Sequence, residues 1–197
     1  MIARTLPSME MQDSTLRNAR DAQKLLGSHD MHDTLQHLFR YKAWANDELL
    51  TTLATLGAWR RLILARLAIK ALSHSYVVDR IFAAHLQRKA HPYTSANLSE
   101  LPTLDDLAAD IRASDQEYIR YVSGLDRDAL AERIDFVFTD GARGRMSREE
   151  MLMHVINHGT GHRGQISALM LLGAASPARD GFTTWLHEAE ASTRGRG

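Results

Sequence analysis

Four long stretches of this chain repeat apolar residues near the 3.6-residue period of an amphipathic helix, and each is closed by a residue that stops helices. In the first, from about Asp30, the residues Leu35, Leu38, Phe39, Leu49, Leu50, Leu53 and Leu56 recur near that period, with Trp44 on an adjoining stripe. Gly57 ends the run. A second stretch covers roughly Arg60 to Lys89 and is stopped by Pro92; its Leu67, Ala71, Val78, Ile81, Phe82 and Leu86 can share one buried side. The third follows Thr103, a residue suited to capping, with Asp106 in the first turn, and Leu107, Ile111, Tyr118 and Val122 facing inward as far as Gly124. The fourth has the clearest start, because Ser147-Arg-Glu-Glu150 reads as a capping box, and it should run to about Leu172 before Gly173.

Between the third and fourth stretches, Ile134, Phe136 and Phe138 alternate with polar neighbours ahead of Asp140-Gly141, a hairpin signal. Strands this short must lean on helices. The expected fold is all-α, an antiparallel four-helix bundle with a short β-hairpin excursion before the last main helix. Residues 1–30 are polar and weakly patterned, with Pro7, Gly27 and Ser28 as breakers. They read as an N-terminal extension, helical over Ser14 to Leu26 or else mobile. The bundle is expected over 31–190, with one or two further helical turns in Phe182 to Glu190, and a tail over 191–197.

A chain of 197 residues can bury a core without help from disulfides or a structural metal. Lys+Arg and Asp+Glu are equal at 24 each, so the net charge is zero, which argues against nucleic acid or an anionic membrane as partner. The absence of cysteine removes disulfides, thiolate metal sites and cysteine nucleophiles together. No apolar h-region follows Met1, and the longest apolar run, Leu62 to Ile69, is broken by Arg66 and far short of the roughly 20 residues that a membrane span needs. The expectation is a soluble, cytoplasmic protein.

The unusual count is ten histidines. The fourth stretch reads His154-Val-Ile-Asn-His158-Gly-Thr-Gly-His162-Arg-Gly-Gln165, which puts three imidazoles on one slowly drifting helical stripe. Two of them, four residues apart, can reach one metal, but the outer pair is separated by about 12 Å of rise. Spacing alone leaves 154/158 and 158/162 both open. Gly159, Gly161 and Gly164 each cost a helix about 1 kcal/mol relative to alanine. Their accumulation there points to close helix packing or to open space around a metal, and favours 158/162. Gly159 stands where an HExxH protease would carry its glutamate base, so that motif is excluded.

A third ligand must come from a facing helix. His74 lies mid-way along the second stretch, on a mostly apolar segment, and is the best candidate. A surface reading suits His85, His91, His29, His32, His37 and His187. Asp79, Asn157 and Gln165 are candidates to orient ligating imidazoles, with an ion pair to Arg80 or another helix as the alternative for Asp79. Arg143, Arg145, Arg148 and Arg163 could attract an anionic substrate, although such arginines more often form a solvated face, here balanced by the acidic third stretch.

Three blocks, LFRYKAWANDELL, LSHSYVVDRIF and HVINHGTGHRGQI, occur in an order that resembles the DinB/YfiT-like family of metalloenzymes, over roughly residues 33 to 190. The resemblance implies a four-helix bundle in which His74, His158 and His162 bind a divalent metal, with His154 a neighbour. It also implies a homodimer and no DNA polymerase activity. Characterised relatives include transferases and isomerases that use a low-molecular-weight thiol. Three histidines leave coordination positions open, as in catalytic zinc sites, and suit zinc first, then nickel or iron. Without a cysteine of its own, the chain would need an external thiol cosubstrate. The reading is a metal-dependent protein acting on a small-molecule substrate, a transferase adding a thiol to an electrophile. The alternatives are a metal-assisted hydrolase using bound water and a non-catalytic metal-binding helical module.

Overall fold

The structure, a computed structural model, describes residues 9–57 and 63–194, with side chains described from His32 onward. Helix α1 (Met9–Thr55) is one continuous helix. The weak patterning before Asp30 therefore does not end it, and Gly27 is carried within the helix, a cost of about 1 kcal/mol rather than a stop. The reading of His29, like the expected start of the second helix at Arg60, lies outside the described residues. Helix α2 (Ile63–Leu86), α3 (Leu104–Ser123) and α5 (Arg148–Leu172) complete the four main helices. The Thr103 hydroxyl accepts from the Asp106 amide, and Ser147 and Glu150 form the complete reciprocal capping box. A short α4 (Arg127–Ala131) leads into β1 (Arg133–Val137), which pairs antiparallel with β2 (Arg143–Ser147). Gly141 in the turn has φ +88°, the left-handed conformation that favours glycine. In the hairpin Phe136 faces Gly144, and its ring fills the place a Cβ would take there.

The helices form a ring in which α1 neighbours α3 and α5, and α2 neighbours α5 and α3. Side-chain pairs give the directions. Arg112 meets Asp47 and His32 meets Val122, so α1 and α3 run antiparallel. Arg80 meets Glu117 while Tyr121 reaches Leu86, so α2 and α3 run parallel. The chain over 87–103 must therefore travel back along the bundle before α3 can begin. The C-terminal helices α6 (Phe182–Ala189) and α7 (Ala191–Arg194) follow, and Trp185 seats α6 against Tyr41 and Ala45 of α1. The second helix buries a somewhat different face from the one expected: Leu67 is largely exposed, and Ala65, Ala68 and Leu72 take the inner positions.

Two apolar clusters fill the bundle. One gathers Phe39, Phe82, Tyr118, Phe136 and Leu152; the other gathers Leu49, Leu72, Leu107, Ile166 and Met170. Between them lies a buried polar layer. Lys42 on α1, 1 % exposed, places its Nζ 2.7 Å from Asp79 Oδ2 on α2 and 2.6 Å from Asp115 Oδ1 on α3. Asn46 Nδ2 donates to the other Asp115 oxygen at 2.8 Å. On α5, Arg163 Nη1 donates to Asn46 Oδ1 at 3.4 Å and its Nε to Asp180 Oδ2 at 2.8 Å. Burial alone would push Lys42 down, but Asp115 and Asp79 reverse this and hold its pKa raised. Burial, only partly offset by Lys42, pushes the Asp79 carboxyl up to about 6, and its Oδ1 has no partner.

Two outcomes are expected. Lys42→Met strands two buried carboxylates and should cost about 3–5 kcal/mol in urea unfolding. Between pH 4 and 6 the unfolded chain has released the Asp79 proton while the folded chain still holds it, so this group's contribution falls as pH rises through that window. Wild type should lose up to about 3 kcal/mol relative to Asp79→Asn between pH 4 and 7, measured by denaturant titration at both pH values.

Candidate metal centre

Helix α2 presents His74 toward α5, and the antiparallel packing of these two helices brings it level with the His158–His162 turn. One ring nitrogen from each of His74, His158 and His162 lies within 4.8 Å of the other two. The nearest approach is His158 Nε2 to His162 Nε2, 3.1 Å. Nitrogens around a tetrahedral ion at about 2.1 Å would be roughly 3.4 Å apart, so small side-chain adjustments would close the set.

Hydrogen bonds on the far sides of the rings fix which nitrogens are available. His74 Nδ1 donates to the Ala96 carbonyl at 3.0 Å, and His162 Nδ1 donates to Gln165 Oε1 at 2.8 Å. Each bond leaves the Nε2 lone pair free, the orientation that ligating imidazoles commonly receive from an outer acceptor. With His162 Nε2 a bare acceptor, the facing His158 Nε2 needs a proton or a cation between them. The first choice leaves His158 Nδ1 as a buried acceptor, and that atom has no partner. A cation would move the proton to Nδ1. Burial, followed by its histidine neighbours, pushes the His158 pKa down to about 4, and burial also lowers His162. The donor set therefore fits a divalent metal that prefers nitrogen.

The other candidates separate clearly. His154 stacks between Phe82, at 4.6 Å, and His158, at 5.5 Å, and is a neighbour of the group. Asn157 is exposed. Asp79 pairs with Lys42 rather than with His74 or Arg80, so it orients no ring of the group. Of the arginines, Arg163 is 2 % exposed and committed to Asp180 and Asn46, which corrects its reading as part of a solvated face. Arg148 binds Glu132 and Tyr121, and the exposed Arg145 faces Asp135. His85, read as surface, is 9 % exposed and packs on Phe82, Phe136 and His91. His32 reaches the Val122 carbonyl, and His37 pairs with Glu190.

The glycines of α5 divide by face. A Cβ at Gly159 would meet Lys42 Cε at 3.4 Å, so this glycine is where α5 closes on the buried lysine. Gly161 and Gly164 would meet nothing within 4 Å and are exposed. Sequence reasoning missed the Ala96 carbonyl, which a loop supplies from 22 residues away, and the whole Lys42 layer. A signal for the latter exists: Lys42 and Asn46 interrupt the apolar stripe of α1 at helical spacing.

A cleft of about 240 Å³ opens beside the group, with His74, His154 and His158 on one side and Val78, Phe82 and Phe138 among its walls. With the site in view, a family profile described as DinB family matches residues 31–193. The chain belongs to the DinB family. The crystal structure of a DinB-like protein from Bacillus cereus ATCC 10987 superposes with a TM-score of 0.50 at 17 % identity, covering 71 % of this chain and 91 % of that one. That likeness agrees with the helical bundle. No curated protein matches the chain. Among the described residues no helix is long and apolar enough to cross a membrane.

Gly161→Ala and Gly164→Ala should each stabilise the DinB-family chain by about 1 kcal/mol in urea unfolding. Gly159→Leu should destabilise it by more than that, because its side chain must displace Lys42.

Proposed function

We propose that this DinB-family chain is a metal-dependent transferase in which His74, His158 and His162 hold a divalent metal, zinc before nickel or iron. It adds a low-molecular-weight thiol to an electrophilic small molecule. The observation that carries the reading is the convergence of three imidazoles at the side of an open, mostly apolar cleft. His74, His158 and His162 would leave coordination positions open on a metal they hold, and its chemistry there would be to lower the pKa of a bound thiol or water.

The chain's own residues supply the rest. Ala96 and Gln165 hold two of the rings by their Nδ1 protons, so that Nε2 of each faces inward. The apolar walls of the cleft exclude water from an electrophile placed beside the group, and hold it against the histidines for attack. Because the chain contains no cysteine, the sulfur must arrive on a cosubstrate. The thiol S–H bond breaks and its proton leaves for solvent. The sulfur electron pair forms the new bond to the electrophilic carbon, and the electron pair displaced from that carbon departs with its leaving group or, in addition to a polarised double bond, takes a proton from solvent.

Elemental mass spectrometry on full-length protein purified without chelator should find about one divalent metal per chain. His158→Ala should lose it while the helical circular dichroism survives, and Gln165→Ala should weaken metal binding about 10- to 100-fold. Metal content that stays near zero after incubation with divalent ions overturns the reading. Product that forms from an electrophile only when a thiol is added supports transfer. Turnover of esters or amides without any thiol would assign a hydrolase instead.

A further inference from the structure

The cleft beside the three histidines has walls whose chemistry restricts what can enter. Along α2 its floor follows the stripe His74, Val78, Ile81 and His85, at spacings of four, three and four residues, so it has an imidazole at each end and an apolar middle. Phe82 and Phe138 add aromatic walls. Phe138 is positioned in turn by Phe136, which meets it edge-on at 4.8 Å and whose ring occupies the place a Cβ on Gly144 would take.

None of the lining residues is an aspartate, glutamate, lysine or arginine. A separate cleft of about 430 Å³ has charged walls, among them Arg80, Lys89 and Glu117. His85 offers no compensating charge either, since burial, together with His91, keeps its pKa lowered. An ion in the first cleft would give up part of its hydration without gaining a counter-charge from the lining residues. The volume of about 240 Å³ is below the roughly 300–1,000 Å³ of sites for drug-sized ligands, and suits a smaller occupant.

We propose that this cleft takes an uncharged, largely apolar small molecule about the size of a substituted benzene ring. Its role as the electrophile rests on the transferase reading above; its binding preference does not. Three probes with one body test it: 3-phenylpropan-1-ol, 3-phenylpropanoate and 3-phenylpropylammonium. Each is titrated into full-length protein by NMR chemical shift, both as purified and after EDTA treatment. The decision is read on the EDTA-treated protein, where no metal can ligate the carboxylate.

The alcohol should bind at least about tenfold more tightly than either ion. Phe138→Ala should weaken it about three- to tenfold. Phe138→Lys should raise the affinity of the carboxylate relative to the alcohol. Phe138 is 43 % exposed, so neither variant removes core packing. Failure of the alcohol to bind, affinity for either ion within about threefold of the alcohol, or indifference to Phe138→Ala overturns the proposal. Metal content of the untreated sample tests the transferase reading separately, so a cleft that behaves as expected in a protein without metal leaves this inference standing.

Discussion

A single lysine holds the bundle in register. Lys42 leaves α1 inside the core, between two apolar clusters, and binds one carboxylate from α2 and one from α3 while its stem lies against α5 at Gly159. Apolar packing alone constrains the sliding of one helix along another weakly, because neighbouring ridges and grooves are similar. A buried ion pair does not tolerate sliding, since a shift of one turn leaves charges without partners in a low-dielectric interior. The layer's stability value is modest, as the raised Asp79 pKa indicates. Its contribution is positional.

That register decides where the histidines meet. Gly159 and Arg163 turn one face of α5 to Lys42, Asn46 and α1, while His158 and His162, on the adjoining face, meet His74 of α2. The two faces belong to the same two turns of helix, so the ion layer and the histidine group cannot be displaced independently. Chain direction contributes the other constraint. Because α2 and α3 run parallel, the connection over 87–103 must return along the bundle, and on its way it offers the Ala96 carbonyl to His74. The outer acceptor of that ring is thus a consequence of topology.

This also explains what could be read from the sequence. The four main helices, their caps and the hairpin are local properties: Ser147 and Glu150 announce α5 within four residues, and Asp140-Gly141 announces the turn. The i,i+4 spacing of His158 and His162 is equally local, and His74 was accessible as the histidine of an otherwise apolar segment. Partners across the bundle were not accessible in this way. Asp79 could be placed near His74 by proximity in sequence, yet the rotation of α2 sends it to Lys42 instead. Arg163 sits in a run of polar residues and glycines that looks like surface, and its burial is accounted for by distant partners, Asn46 on α1 and Asp180 from beyond Pro177. The 47-residue α1 runs on through the polar segment read as an extension, helical or else mobile, because a weakly patterned sequence carries no local sign of where the helix begins.

Charge is distributed unevenly between the two sides of α2, and the chemistry of the site follows from that division. The ions that fix the helices face the interior, where each has a partner, and Arg80 and Glu117 face the outer cleft, where they pair with each other. What remains beside His74, His158 and His162 is a wall of aliphatic and aromatic groups. A cation held there would be the largest local charge, with no carboxylate of the cleft to neutralise it. Its effect on the acidity of a bound thiol or water would therefore be undiluted. A wall that takes an uncharged guest would leave a histidine-held positive charge to act on the one group that, in the proposed transfer, must become an anion.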